Sequence, residues 1–210
     1  MKLYYIIYHG LITIALILSF VSYKKGSRKS LFLIILLLAT FLVELFAAVL
    51  KSGFEWIYHL FNPIEYSVLC SYYLKACNVS RLKGTVAWSI PVFILFSLFI
   101  SCFLYHFKSL PALNINVEGC LLFIIFTHLL FSLEVHINIF IYTIPDFWIS
   151  VGILIFFGGV FVLFGLYSKL HYLDKIRTLE LFDIITKPLN IILYSCFITG
   201  LIYSIRNENI

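Results

Sequence analysis

The sequence predicts an all-α polytopic membrane protein, one bundle of about seven transmembrane helices formed by residues 1–210, with the N-terminus outside and the C-terminus inside. Three observations predict it. First, 62% of the residues are hydrophobic and only 12% are charged, against roughly 25% charged in soluble domains. Much of any soluble fold's surface must face water, so a soluble chain of this size cannot hide that much apolar side chain, whereas a lipid-facing surface stays apolar. Second, the apolar residues gather into segments of about 20 residues, the length a helix needs to cross the hydrocarbon core. Third, those segments are apolar all round, without the period-two alternation over about ten residues that a membrane β-barrel requires.

The segments run roughly 3–22, 31–50, 55–76, 86–107, 118–138, 147–168 and 181–204. The first ends in Ser22-Tyr23-Lys24-Lys25 without a small-x-small cleavage site, and is expected to be a retained span rather than a signal peptide. The second places Glu44 inside Phe41-Leu42-Val43-Glu44-Leu45-Phe46. The third is the weakest by hydropathy, because it carries Glu55, His59, Asn62, Pro63 and Glu65; without it six spans would remain and the orientation would change. The fourth and sixth are nearly free of charge, and Gly158, Gly159 and Gly165 in the sixth read as close-packing positions between helices. The fifth holds His128 near its middle and Glu134 toward its end, six residues apart and therefore on opposite faces. The seventh carries Asp183, Lys187, Pro188 and Asn190. Pro63 and Pro188, in the third members of spans one to three and five to seven, would suit a parallel repeat about span four. Prolines are common in membrane helices in any case.

Orientation follows the basic residues. The first connection, Tyr23-Lys24-Lys25-Gly26-Ser27-Arg28-Lys29-Ser30, is short and strongly positive, which places it in the cytoplasm. Lys75, Arg81 and Lys83 after the third span fall on the same side. Lys169, Lys175 and Arg177 then lie outside and argue back, so the N-terminal half sets the assignment. The net charge of +5 sits mostly in connections, where it meets lipid headgroups, and is not a nucleic-acid signal. A bacterial inner (cytoplasmic) membrane is the expected location, and the bilayer the first partner.

Composition also restricts the chemistry. Spans and short connections use up the chain, leaving no room for a soluble catalytic domain. Cys70, Cys77, Cys102, Cys120 and Cys196 form no CxxC pair and read as small buried packing residues. His128 and His136, eight apart, miss the HxxxH spacing of a helical metal site. No HExxH, GxSxG or Gly-rich phosphate loop occurs. No metal or cofactor is expected, and an intramembrane hydrolase would lack a recognisable nucleophile.

The ionisable groups within spans are the candidate site, since each costs roughly 2.5–3.5 kcal/mol at a helix centre on insertion scales. Asp183, Lys187, Asn190 and Tyr194 recur at four, three and four residues, one stripe of a helix on which Asp183 and Lys187 can pair. Glu55, His59, Asn62 and Tyr66 repeat that spacing in span three, with Glu65 to one side and Pro63 freeing the His59 carbonyl. Glu44 has no basic neighbour in sequence and must find a partner on another helix, face water or carry a proton. His9 shares a face with Tyr5 and Thr13, where a packed hydrogen-bonder is the commoner role. With the N-terminus outside, His9, Glu44, Glu55, His59, Asp183 and Lys187 fall in the outer half, and Asn62 and Asn190 near the middle. The expectation is one outward-opening polar cavity that includes Glu65 and is built on spans one, two, three and seven. The bland alternative is interhelical hydrogen bonding that glues the bundle, at about 1 kcal/mol per contact.

Two resemblances bear on function. Lys187 four residues after Asp183 in a last span is similar to the retinal-binding helix of microbial rhodopsins. Pro188 follows directly, and the family's Asp-Trp-x-x-Thr and Trp-x-x-Tyr-Pro patterns are missing, so retinal is not carried over. Asn62-Pro63-Ile64-Glu65, Asp146-Phe147-Trp148-Ile149 and Leu189-Asn190-Ile191-Ile192-Leu193-Tyr194 resemble a group of small seven-transmembrane-helix proteins of Bacteroidota, some encoded beside sensor histidine kinases. That resemblance implies a sensory or accessory role in envelope signalling and assigns no ligand. The resulting expectation is a sensor or receptor-like module that binds a small molecule or proton and signals to a cytoplasmic partner. The alternative is a small transporter, with Glu44 or Glu65 as the proton-coupling carboxylate.

Overall fold

The computed structural model describes the backbone of residues 2–50, 55–78, 80–107, 109–133, 140–173 and 175–207. It describes the side chains of all of these except 2, 3, 48, 80, 81, 166–173, 175–180, 183 and 207. The described residues form seven α-helices and no strand: α1 (Lys2–Lys24), α2 (Ser30–Leu50), α3 (Trp56–Ala76), α4 (Ser80–Ile100), α5 (Ala112–Phe131), α6 (Pro145–Leu173) and α7 (Lys175–Asn207). Helix α4 runs on into a π-helical turn, Ser101–Tyr105, and a 3-10 turn, Ile141–Thr143, leads into α6.

Six helices are long and apolar enough to cross a membrane, over Tyr4–Lys24, Ser30–Ala47, Leu82–Tyr105, Ala112–Phe131, Pro145–Gly165 and Ile184–Arg206. The polar helix α3 is not among the six. Its 21 residues nonetheless reach about 32 Å at 1.5 Å per residue, and side-chain bonds tie both its ends to opposite ends of the bundle. Near its start His59 bonds the carbonyl of Ser109, before α5; near its finish the Tyr72 hydroxyl donates to Asp146, in the first turn of α6. The polar residues of α3 are tolerated because they face helices and not lipid. It packs against α2, α4 and α5, and His59, Asn62, Tyr66, Tyr72 and Tyr73 are all buried.

The expected boundaries shift where polar residues turn inward. The fifth segment, expected at 118–138, forms a helix over Ala112–Phe131. Asn114 and Glu118, which look like a poor start for a lipid-facing helix, are buried in the bundle. Glu134 and His136 lie outside the described residues. Helices α6 and α7 extend past their apolar stretches, with 29 and 33 residues. Not all cysteines are buried packing residues either: Cys70 and Cys77 are, but Cys102 and Cys120 are exposed on the helix surface.

One apolar core joins all seven helices, centred on Ile12, Leu37, Tyr66, Leu69, Tyr73, Phe93, Phe126, Ile153 and Phe197. Helix α6 sits between α5 and α7, and its approach to α7 depends on glycine. A Cβ on Gly152 would stand 2.8 Å from Cys196 Cβ, and one on Gly200 would stand 2.9 Å from the Pro145 carbonyl oxygen. Gly159 meets the Leu189 side chain, and Gly158 only touches Phe123. Gly165, expected as a packing position, has nothing within 4 Å of its would-be Cβ among the described residues. Gly200→Ala is therefore expected to cost about 1–3 kcal/mol, since backbone cannot yield as a flexible side chain does. Gly165→Ala should be neutral or gain up to about 1 kcal/mol of helix propensity. Unfolding midpoints in mixed SDS–dodecyl maltoside micelles check both; equal midpoints for the two variants would contradict the packing described.

Candidate functional site

A cavity of about 630 Å³ lies among α1, α2, α3, α5, α6 and α7, toward the end of the bundle that holds the start of α1. That volume falls within the range of small-molecule sites. Its α3 wall is Tyr58, Phe61, Asn62 and Glu65, the i, i+3, i+4, i+7 stripe of one helical face. The expected stripe of Glu55, His59, Asn62 and Tyr66 divides between two neighbours instead. Asn62 faces the cavity, while the Tyr66 hydroxyl donates to Ser89 of α4 at 2.8 Å. Glu65, expected off to one side, is a lining residue.

The other predicted residues divide in the same way. Glu44 lines the cavity and accepts a hydrogen bond from the Tyr8 hydroxyl at 3.2 Å, so it finds its partner on α1. Lys187 and Asn190 line it from α7, with Lys187 Nζ 5.4 Å from the centroid of the Tyr4 ring. The side chain of Asp183 lies outside the described residues. Glu55 immediately precedes α3 and is not part of the lining. His9 is also absent from it: its Nδ1 is 2.8 Å from the carbonyl of Tyr5 on its own helix, and its ring packs on Tyr8 and Phe41.

His59 belongs to a separate, sealed joint. Its Nε2 is 2.8 Å from the Ser109 carbonyl oxygen, and its Nδ1 is 2.7 Å from Ser101 Oγ. A carbonyl only accepts, so Nε2 carries the proton and Nδ1 takes the one offered by Ser101. Asn114 Nδ2 adds donors to Ser97 and Ser101, and of these residues His59, Ser97, Ser101 and Asn114 are buried. This network pins the π turn of α4 to α3 and α5.

Sequence reasoning missed Glu118 of α5, the most consequential lining residue. It is 1% exposed, and its Oε1 has no hydrogen-bond partner among the described residues. It lies within electrostatic reach of Glu65. Asn62 is 2% exposed, and its Nδ2 likewise has no partner. A buried polar atom without a bond costs about 1–3 kcal/mol; of the four such side-chain atoms among the described residues, these two belong to residues of the lining, while Asn114 Oδ1 and Asn116 Oδ1 lie outside it. The Asn114–Glu118 spacing of four was the available signal, overlooked when the helix was started at 118. Tyr194 and Tyr5 were named with the polar stripe of span seven and with His9, whereas Tyr4, Tyr8 and Tyr58 count as apolar in a hydropathy scan and were missed; all five line this cavity.

A smaller cavity of about 200 Å³ lies at the opposite end, lined by Lys29, Ser30, Tyr72, Asp146 and Ser204 among others. Pro145 opens α6 and places Asp146 in its first turn, where an acid suits the helix dipole. Lys29 forms an ion pair with Asp146, and Tyr72 donates to the same carboxylate at 2.6 Å. Beside them the Ser22 hydroxyl meets those of Ser30 and Ser204, each at 2.8 Å, and Lys25 reaches the Ile205 carbonyl. On α2, α3, α6 and α7 the two linings are separated by Leu37, Leu69, Ile153 and Phe197, all at most 1% exposed. The cavities are thus stacked on one axis, with a single apolar layer between them.

Among the described residues, no group of three or more His, Cys, Asp or Glu side chains is gathered so as to hold a metal ion. No protein-family model, curated protein or solved structure matches the chain.

Proposed function

We propose that the chain is a receptor-like membrane module that takes a small ligand into the larger cavity and passes helix shifts to a partner at the opposite face. One observation carries this reading: Asn62 Nδ2 and Glu118 Oε1 are buried without partners on the wall of the same cavity. In this reading all seven helices cross the bilayer, α3 being shielded by its neighbours. The end bearing Lys24, Lys25, Arg28 and Lys29 faces the cytoplasm under the positive-inside rule. The cavity then opens outward, and the Lys29–Asp146–Tyr72 cluster lies where a cytoplasmic signalling partner would sense a helix shift. No step of bond-breaking chemistry belongs to it.

The second reading is transport, and the stacked cavities favour it. Only the layer of Leu37, Leu69, Ile153 and Phe197 separates the two linings, so a modest rearrangement of α6 and α7 would exchange access between the ends. Glu65 and Glu118 would be the proton-coupling carboxyls. Substrate-dependent flux in proteoliposomes, lost in Glu65→Gln, would select this reading; a cavity that binds without flux selects the receptor.

Access to the cavity is tested by single cysteines in a background without the native five. Thr186→Cys, on the α7 wall, is expected to react with a membrane-impermeant maleimide in intact cells. Ser27→Cys, in the α1–α2 turn, is expected to react only after permeabilisation. The reverse pattern would invert the orientation. A Thr186→Cys that stays unreactive even in opened membranes would show that the cavity is closed to water and overturn the ligand-binding reading.

A further inference from the structure

We propose that the larger cavity is selective for an organic cation, an aromatic or alkyl ammonium compound, seated against Glu65 and Glu118. This rests on the reading of the cavity as a ligand site and names the chemistry of what fills it.

The balance of charge comes first. Among the described residues lining the cavity, three are acidic (Glu44, Glu65 and Glu118) and one is basic, Lys187. Lys187 lies over Tyr4, in the first turns of α1. Glu44 is held by Tyr8, about one turn further along α1. Glu65 stands one residue before the buried Tyr66 on α3, and Glu118 six residues into α5, within electrostatic reach of each other. A buried carboxyl gives up its proton only where a counter-charge comes close. A cationic ligand supplies that charge beside Glu65 and Glu118, whereas an anion finds none there.

Burial and partnership make this more than a cluster of acids. Glu118 is 1% exposed with an unmet acceptor oxygen, so its acceptor is directed at a group the ligand must bring. The unmet Nδ2 of Asn62, one turn before Glu65 on the same stripe, offers a donor to an oxygen on that ligand. Aromatic walls complete the site. Tyr8 and Tyr194 meet edge to face at 5.6 Å, and Tyr58, Phe156 and Phe157 line the remaining sides. Ring faces attract cations, most strongly where water is excluded, and they also bury a ligand's hydrocarbon.

Tetraphenylphosphonium and tetraphenylborate, ions of nearly one shape and opposite charge, isolate the sign of the site. With the purified full chain in detergent, equilibrium dialysis is expected to show saturable binding of the phosphonium and none of the borate. Glu118→Gln and Glu65→Gln should each weaken phosphonium binding at least about tenfold, an effect of the size that losing a charge-assisted contact produces; His9→Gln, away from the lining, should not. Thr199→Ala, outside the lining and clear of the Tyr8 ring that His9 touches, is the second control and should bind as the unaltered protein does. Should a carboxyl variant fail to fold, a second readout stands: in the Thr186→Cys protein, the phosphonium is expected to slow maleimide labelling and the borate to leave it unchanged. Saturable borate binding abolished by Lys187→Gln would overturn the cation assignment while keeping the cavity as a ligand site. Neither ion binding, with Thr186→Cys still reactive, would also overturn the cation assignment alone. Neither ion binding with Thr186→Cys unreactive would bring down the cavity reading with it.

Discussion

Lys29→Met is expected to lower the unfolding free energy by about 3 kcal/mol, more than the loss from replacing its partner, Asp146→Leu. The asymmetry comes from unequal burial. The Asp146 side chain is 9% exposed and that of Lys29 is 34% exposed. Without Lys29 the carboxylate stays enclosed, keeping only the Tyr72 hydroxyl and the first turn of α6 as support. Without Asp146 the lysine can turn its ammonium to water, as long basic side chains do. What remains is the buried Tyr72 hydroxyl without its acceptor, a cost of about 1–3 kcal/mol. The double variant Lys29→Met/Asp146→Leu removes both charges and should recover most of the loss, because replacing a whole ion pair by apolar groups is often close to neutral. SDS-induced unfolding of the four proteins gives the cycle. A Lys29→Met cost below about 0.5 kcal/mol would place the pair among water-screened surface bridges, and the joint between the α1–α2 turn and α6 would then contribute little to closing that end.

The same cluster shows what the sequence could and could not tell. Hydropathy finds spans because lipid demands apolar surface, so the six apolar helices were legible from composition alone. The third helix was legible as a helix, and its polar residues were legible as exceptions. Which neighbour each exception faces depends on packing that no single helix encodes. His59 and Asn62 are three residues apart, yet one closes a joint with α4 and the other lines a cavity. Asp146 has no basic residue near it in sequence, since its partner Lys29 lies 117 residues away. Glycine misled in a related manner: Gly165 and Gly200 look alike in sequence, but only Gly200 has a backbone carbonyl against it. The start of α5 was misjudged because a hydropathy window counts Asn114 and Glu118 against a membrane helix whichever way they point. The expected cavity was placed on four helices, and the larger cavity also has lining residues on α5 and α6.

Glu118→Met is expected to make the protein more stable while removing its affinity for the phosphonium probe. The sign of the stability change is the informative part. If Glu118 were glue, its removal would cost about 1 kcal/mol or more, as for other interhelical contacts. Its Oε1 has no partner, however, and Glu65 stands within electrostatic reach, so the native residue is a local burden on the fold. Methionine is unbranched and adapts to irregular space, so it can occupy the vacated volume without a new polar demand. Relief of one unmet buried group is expected to raise the unfolding free energy by about 1–3 kcal/mol, read as a higher SDS midpoint. Glu118→Gln keeps the shape and still wants hydrogen bonds, so it should gain less. A residue that weakens the fold and is needed for binding fits the general trade between stability and function at sites that await a ligand. A lower midpoint for Glu118→Met would instead assign Glu118 to the structural network that includes Asn114, and would leave the cavity with Glu44 and Glu65 as its acids.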